Sequence, residues 1–433
     1  MILQKAKGIR IDGRKAMSKE LPLQEVLNPK FVYIHLLRQT ETLKRLVEVG
    51  ETVKIGQVIA LREGWGPLPI HASVSGKVTA IKKVWHSSGK MVDAIEIEND
   101  MQNTMDDSVQ KEQHPESLTK EQLVEKMKMA GLSGLGGAGF PTFVKYQSKL
   151  PIETVIINAV ECEPYITSDY MMIHLYPEKL LKGLSYMMKA VGATKGVVAY
   201  KKYNQHIADD LQPFLHQYPM ISLYPTEDVY PAGWEKYLVQ QITKKTYASL
   251  PSEANTIVNN AQTAIFYTDM VEENIPLIRR GITITGEGIQ KPQNFLVPIG
   301  TAVKDLIALC GGYTEGLDPS KAHYIAGGPM TGRAILIDDL IVNDTLGAVI
   351  VKPMPNNLPA VECMGCGKCA DACPVYLTPT EIWHASERGD VEAVKKLKAN
   401  KCIGCGLCSY VCPSRIEITD FVDKAKALLR KGV

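Results

Sequence analysis

Cys363-Met364-Gly365-Cys366-Gly367-Lys368-Cys369-Ala370-Asp371-Ala372-Cys373-Pro374 and Cys402-Ile403-Gly404-Cys405-Gly406-Leu407-Cys408-Ser409-Tyr410-Val411-Cys412-Pro413 repeat one spacing, C-x2-C-x2-C-x3-C-P. Eight of the ten cysteines of the 433-residue chain lie in these two runs. Each run supplies three thiols from one tight loop and a fourth from the start of the next element. A cubane iron–sulfur cluster needs four thiolates, and two such donor sets are present. Gly365, Gly367, Gly404 and Gly406 allow unusual backbone angles and let amides point at cluster sulfurs. Other uses of cysteine fit less well. Disulfides want an oxidising compartment, and the first residues, MILQKAKGIRIDGRK, show no apolar core behind their basic residues, so no signal peptide is expected. Zinc sites come as CxxC pairs with longer gaps. Covalent haem needs a histidine after CxxC, where Gly367 and Gly406 stand.

The spacing is similar to that of bacterial two-cluster ferredoxins, in which the fourth cysteine of each run ligates the other cluster. That pattern puts Cys363, Cys366, Cys369 and Cys412 on one [4Fe–4S] cluster and Cys402, Cys405, Cys408 and Cys373 on the other. Between the runs, Thr378-Pro379-Thr380-Glu381 predicts a helix start with Thr at N-cap, Pro at N1 and Glu at N3. After them, Phe421, Val422, Ala425, Leu428 and Leu429 form one apolar helical face that should pack on the cluster module. Residues 351–433 are therefore expected to form an α-rich two-cluster unit, an electron relay that needs a source upstream.

Outward from the cysteines, composition narrows the classes. Apolar residues are 45% and charged residues 22%, as in soluble globular chains. Net charge is 49 − 47 = +2, too small for the basic field that holds nucleic acid. No apolar stretch approaches the roughly 18–20 residues that span a bilayer. Residues 1–100 read as short β-branched runs with Gly and Pro punctuation, and VGETVKIGQVIA with HASVSGKVTAI looks like a lipoyl/biotinyl-type hammerhead, or barrel-sandwich, module. No lysine lies between Ile55 and Gly76, so a structural role is expected there rather than a swinging arm. A polar linker (101–123) leads into a helix at 120–130. In residues 124–270, strand-like runs at 153–160, 195–200 and 220–225 alternate with helical stretches such as 177–191, an α/β pattern. Residues 271–350 read as two strands, a turn, a helix at 302–309 and a Gly-Gly stop, the look of a β-grasp domain, with Cys310 as a buried thiol. The whole reads as multidomain α/β plus β.

Within the α/β unit, Gly134-Leu135-Gly136-Gly137-Ala138-Gly139-Phe140-Pro141-Thr142 precedes an expected helix over 142–150. A glycine-rich turn at a helix start presents free N–H groups to phosphate. Asn158-Ala159-Val160-Glu161-Cys162-Glu163-Pro164 ends a strand, where ligand sites gather. Tyr230-Pro231-Ala232-Gly233-Trp234-Glu235 and Asn259-Asn260-Ala261-Gln262-Thr263 follow. Together these resemble the NADH- and FMN-binding flavoprotein subunit of respiratory complex I, which carries G-x-G-G-A-G-F-P-T-x-x-K, N-A-x-E-x-E-P, Y-x-x-G-x-E and N-N-x-x-T in this order. With a hammerhead in front, an SLBB-like β-grasp domain behind and two clusters last, the layout resembles the C subunit of Rnf electron-transport complexes from about Val47 to Lys431.

The resemblance implies roles. Gly134, Gly136, Gly137 and Gly139 would line the FMN and nucleotide phosphates, and Phe140 the nicotinamide site. Lys145 would offer a cation to the flavin or its phosphate, Asn158 and Glu161 would contact the flavin, and Glu163 would lie near the nucleotide. Tyr230, Gly233 and Glu235 would continue the flavin pocket, with Asn259, Asn260 and Thr263 near the phosphate end. Cys162 reads as a packed thiol. No residue is expected to act as a catalytic acid or base, because hydride transfer is a matter of positioning. The implied activity is NADH oxidation through FMN and two [4Fe–4S] clusters to a redox protein, either ferredoxin or other Rnf-type subunits, with flow in either direction. Relatives with this layout also serve as soluble reductases for cobalamin or as donors to proline reductase, and a non-flavin adaptor or scaffold is the remaining alternative. The expected location is cytoplasmic, at the cytoplasmic face of the cell membrane where partner subunits hold the chain there. The sequence departs from the pattern at Leu135, where the complex I family has Arg, at Ala248-Ser249-Leu250-Pro251, which lacks the glycines of Rnf-type chains, and over residues 29–40.

Overall fold

The computed structural model of the chain describes residues 8–38, 41–64, 66–354 and 359–431. The first seven residues of the segment read for a signal peptide, the end of the 29–40 segment and the last two residues of the cluster module lie outside the described residues.

The hammerhead holds a four-stranded antiparallel sheet in the order Phe31–His35, Met91–Asn99, Gly76–Trp85, Thr52–Val53. A three-stranded sheet of Lys44–Arg45, Val58–Arg62 and Leu68–His71 joins it. Val32, Val53, Ile59, Val78, Ile95 and Ile97 are fully buried in one cluster, and Phe31 and Tyr33 alternate outward, the period of a half-buried strand. Each fully buried aliphatic side chain contributes about 1.5–3 kcal/mol. The stretch predicted to be a linker is tied down: Ile55 N–H donates to Thr104 O, Glu112 N–H to Glu272 O and Asn274 Nδ2 to Gln110 O.

The α/β unit has four parallel strands in the order Ile221–Thr226, Lys195–Lys201, Thr154–Ala159, Thr256–Asn260. Thr154–Ala159 is central and buried on both faces, so it reads as a continuous apolar run, with Val155, Ile156 and Ile157 fully buried. The helix Pro177–Val191 keeps its predicted bounds because Pro177 is pre-set for the first turn and Gly192 adopts the left-handed conformation that ends it. Leu180, Leu181, Leu184 and Met187 make its buried face. The expected helix over 142–150 is only Thr142–Lys145. Leu150 precedes Pro151, which disfavours helical backbone, and the Tyr146 hydroxyl, instead of facing solvent, accepts from Asn259 Nδ2 at 2.6 Å.

The β-grasp unit is a six-stranded mixed sheet around Arg279–Thr285, Gln293–Pro298 and Ala348–Pro353, covered by the helix Val303–Leu309. Cys310 is 1% exposed in its core, and burial pushes its thiol up to about 12. One edge strand comes from the N-terminal arm: Gln24–Glu25 pairs in parallel with Phe295 and Leu296.

The cysteine-rich unit is built of short helices, Lys368–Ala372, Pro379–Glu387, Val391–Lys396 and Leu407–Tyr410, and the longer Ile418–Lys431. The last helix buries Ile418, Val422 and Ala425 against Ile382 and Ala385, and Phe421 stacks on Trp383 at 5.0 Å. Thr378 opens the helix Pro379–Glu387 as expected, but its hydroxyl donates to the Glu381 carboxylate at 3.3 Å and makes no bond to the helix backbone.

Candidate functional site

Strand order reverses between Thr154–Ala159 and Thr256–Asn260: the chain runs outward on one side through its second and third strands, then returns to place the fourth on the other. The carboxyl ends at such a switch point open a crevice where ligands bind. The two motifs that end these strands, at Asn158–Glu163 in one and Asn259–Asn260 in the other, flank that crevice. The glycine-rich segment crosses it as a closed loop: Gly134 N–H donates to Phe140 O at 2.8 Å and Gly139 N–H to Gly134 O at 3.3 Å. At the loop's tip Gly136, Gly137 and Ala138 are exposed. Gly137 has φ +130°, a conformation glycine alone adopts readily, and a Cβ there would meet nothing within 4 Å. Among the described residues the amides of Gly136 and Gly137 make no hydrogen bond. An open glycine cradle with free N–H groups suits a phosphate.

The loop is pinned from behind. Leu135 is 1% exposed, its N–H donates to Thr263 Oγ1 at 3.1 Å, and its carbonyl accepts from Arg280 Nη2 at 2.9 Å. Ser133 Oγ donates to Asp344 at 2.6 Å, and Arg38 of the hammerhead holds the same carboxylate at 2.8 Å. Burial pushes the Asp344 pKa up, but Arg38, Ser133 and Arg280 outweigh it and leave it below the usual carboxylate range. Three modules therefore meet at one buried carboxylate beside Gly134. Arg280 is 2% exposed, and its Nε and Nη1 find no partner among the described residues.

The N-N-x-x-T motif is spent largely on the scaffold. Asn260 caps the helix Ala261–Glu273 by accepting from Gln262 N–H at 2.9 Å, and its Nδ2 donates to Asp169 at 2.5 Å. Asn259 Nδ2 is committed to Tyr146, and Thr263 holds the loop at Leu135. Lys145 is half-buried under the strand end and donates to Val258 O at 2.7 Å; desolvation lowers its pKa. Asn158 Nδ2 donates to Gly233 O at 2.8 Å, which joins two motifs. Glu235 opens the helix Glu235–Thr243 and accepts from Tyr247 at 3.0 Å. Phe140, half-buried, closes the loop through its carbonyl.

The glutamates are the charged members. Glu161 has φ +40° and a nearly buried carboxylate that accepts from Asp169 N–H at 2.8 Å and from Lys15 Nζ at 3.0 Å. Desolvation pushes it up to about 7 despite Lys15. Glu163 reaches the β-grasp domain, accepting from Met330 N–H at 3.1 Å and Thr331 Oγ1 at 2.5 Å, and burial raises its pKa. Cys162 lies among apolar neighbours, and burial raises its thiol pKa, in keeping with a packed side chain.

The cysteines are distributed unequally. Cys373, Cys402, Cys405 and Cys408 line one cavity with Val375, Leu377, Leu407 and Val422. Three thiols of the second run and the fourth of the first are thus gathered around an apolar space, the donor set a cubane takes. Cys363 and Cys366 are exposed, Cys369 is buried and Cys412 half-buried. Segment 359–363 is drawn beside Cys412 by Val361 N–H to Ser414 O at 3.0 Å and Ser414 Oγ to Glu362 O at 2.9 Å. The second run also touches the crevice: Tyr230 Oη donates to Cys405 O at 2.8 Å, and Tyr230 packs on Leu407 and Ala372.

Lys15, Asp169, Arg280 and Asp344 carry no signal in the sequence that marks them for this site. Lys15 meets Glu161 across 146 positions with no motif around it, and Arg280 stands in the strand Arg279–Thr285, where nothing in its Arg-Arg-Gly-Ile-Thr-Ile-Thr run marks it as the buried cation.

A crevice at the switch point with one cysteine tetrad seated against it and a second cysteine run beside that tetrad define an iron–sulfur flavoprotein. Family models agree along the chain: a RnfC barrel sandwich hybrid domain at residues 3–102, a Nuo51 FMN-binding domain at 127–267, an SLBB domain at 282–334 and a 4Fe-4S dicluster domain at 362–416. The C subunit of the Na+-translocating ferredoxin:NAD+ oxidoreductase complex of Acetobacterium woodii is 33% identical over 388 residues, 88% of this chain and 87% of that one. The C subunit of the ion-translocating oxidoreductase complex of Rhodobacter capsulatus is 32% identical over 405 residues, 90% and 76% of the two chains. The chain belongs to this family, the C subunits of Rnf-type ion-translocating oxidoreductase complexes. Cobalamin reductase of Citrobacter freundii is also similar, 35% identical over 60% of this chain and 59% of its own. Among solved structures, an NAD+-reducing [NiFe]-hydrogenase shares the fold with a TM-score of 0.50 and 17% identity, covering 72% of this chain and 66% of that one.

Proposed function

We propose that this chain oxidises NADH and delivers the electrons one at a time to a redox protein, as the NADH-oxidising subunit of an Rnf-type complex. Bound FMN would supply the conversion of a two-electron hydride from NADH into single electrons, and the [4Fe–4S] clusters a path for those electrons. The chain's own part is to hold, orient and shield. The free amides of Gly136 and Gly137 offer a phosphate cradle, and Asp344, Arg280 and Thr263 keep that loop rigid from behind. Asn158 and Glu161 present hydrogen-bonding groups at the strand end, and Glu163, clamped by Met330 and Thr331, ties the β-grasp loop to the nucleotide side. Cys363, Cys366, Cys369 and Cys412 would hold one cluster, and Cys402, Cys405, Cys408 and Cys373 the other.

The single observation that carries the reading is the hydrogen bond from Tyr230 to the Cys405 carbonyl, because it seats a cysteine tetrad directly on a residue of the flavin motif. Ferredoxin or a sister subunit would take the far end of the relay. No helix among the described residues is long and apolar enough to cross a membrane. The similar chains of Acetobacterium woodii and Rhodobacter capsulatus belong to ion-translocating complexes, and on that likeness we place this chain at the cytoplasmic face of the membrane, held there by partner subunits.

Anaerobic NADH titration of the purified protein, followed by visible absorbance and EPR, tests this. Bleaching of flavin and cluster bands together is expected. Protein that contains FMN and iron but does not respond to NADH would overturn it. A stable complex with a cobalamin-dependent enzyme, and none with membrane subunits, would shift the reading to a soluble reductase.

A further inference from the structure

Residues 8–25 lie ahead of the first long hammerhead strand, and their long-range hydrogen bonds go to the flavin domain and the β-grasp unit. The segment runs as an arm across the crevice to the β-grasp sheet. Ile9 and Tyr230 exchange two backbone hydrogen bonds, of 3.2 and 2.9 Å, and Tyr165 N–H donates to Gly13 O at 2.7 Å. Ser18 Oγ lies 2.7 Å from Thr167 Oγ1, both fully buried, and Asn294 Nδ2 donates to Ser18 O at 3.0 Å. The arm then becomes the edge strand Gln24–Glu25. Between these anchors Lys15 is turned inward. Its ammonium donates to Glu161 Oε2 at 3.0 Å and to the Ile166 carbonyl, with the side chains of Lys15 and Glu161 only 13% and 5% exposed.

We propose that this arm is part of the flavin site, and that Lys15 is a positioning residue that fixes the Glu161 carboxylate in place and balances its charge for the isoalloxazine ring. The proposal rests on the reading of residues 134–263 as the FMN site. The electrostatics explain why a cation must come from outside the domain. Glu161 is desolvated, and its nearest acidic neighbour, Asp169, adds a like charge. Among the described residues the flavin domain places no lysine or arginine on Glu161; the cations near it are Lys15 and Lys19 from the arm and Arg280 from the β-grasp strand, and of these Lys15 is the one hydrogen-bonded to it. A buried carboxylate without a partner swings or takes up a proton, and either change alters what it presents to a ligand.

The test uses the full chain stripped of FMN, with FMN affinity read from quenching of flavin fluorescence. Lys15→Met and Glu161→Gln are each expected to weaken FMN binding by roughly tenfold or more, as for loss of one hydrogen bond to a charged group. Because the two side chains act as a pair, the double variant should bind no worse than the weaker single one. Lys15→Arg should restore most of the affinity. Wild-type affinity in Lys15→Met, or a further tenfold loss when it is added to Glu161→Gln, overturns the proposal. If Lys15→Met does not fold, Ser18→Ala, which loosens the next anchor, decides instead: unchanged FMN affinity there counts against the arm. Wild-type protein that takes up no FMN at all defeats the site reading itself, a separate failure.

Discussion

The two cysteine runs share spacing and local backbone. Gly367 and Gly406 have the same φ of 75° and ψ of −8°, and each opens a short helix that carries the third cysteine. Their surroundings differ. Cys363 and Cys366 are exposed, and Met364 between them is 65% exposed. In the second run Leu407 is fully buried, Cys405 sits under Tyr230, and the Met330 carbonyl lies where a side chain on Gly406 would be. One site faces the flavin domain and the other faces solvent. Identical spacing builds identical loops, and the difference in burial is what would put one run inside the proposed relay and the other at its exit.

The strongest way to break this comparison is to remove one tetrad at a time. Cys402→Ser and Cys366→Ser should each lose about half the iron, one cluster of two. With Cys366→Ser the remaining signal should still appear in EPR on mixing with NADH, whereas with Cys402→Ser it should appear far more slowly. Equal responses from the two variants would show that the runs are interchangeable.

A smaller effect separates the two glycines. Alanine at either position meets a left-handed backbone, at a cost of about 1 kcal/mol. At Gly406 the new methyl would also lie 2.5 Å from Met330 O, while at Gly367 nothing lies within 4 Å. Gly406→Ala should therefore cost about 1–3 kcal/mol more, as overpacking does. Thermal melts of the cluster-loaded protein measure the difference, and equal shifts would mean the seam at Met330 is not tight.

The smallest effect expected is from Tyr230→Phe, which deletes the hydrogen bond to Cys405 O and costs about 1 kcal/mol. Amide exchange should quicken around residues 405–411 and stay unchanged around 366–372. Uniform quickening would place Tyr230 in general stability instead of the seam.

Much of this was legible in the chain. Helix Pro177–Val191 is set by a proline, a terminal glycine and an apolar face, all local signals. The glycine loop and the motif order pointed to the crevice because each residue type does chemistry its neighbours permit. What was illegible had no local signal. Leu135 looked like a lost arginine, but its side chain belongs to the core and Arg280, 145 positions on, donates to its carbonyl. Nothing local signals that Asn259 Nδ2 is held by the Tyr146 hydroxyl, 113 positions away. The 142–150 helix was cut short by a tertiary bond and a following proline.

Cysteine spacing and motif order were enough to predict the clusters, the domain order and the flavin motifs, because four thiols or a glycine-rich turn within a dozen residues need only short-range geometry. Long-range folding is what sets one tetrad against the flavin domain, carries residues 8–25 across its crevice, and brings Lys15, Arg280 and Asp344 to its buried charges. Those contacts join residues 145 to 306 positions apart. Burial makes them matter, since a charge left alone in the interior is costly, and burial is a property of the folded chain.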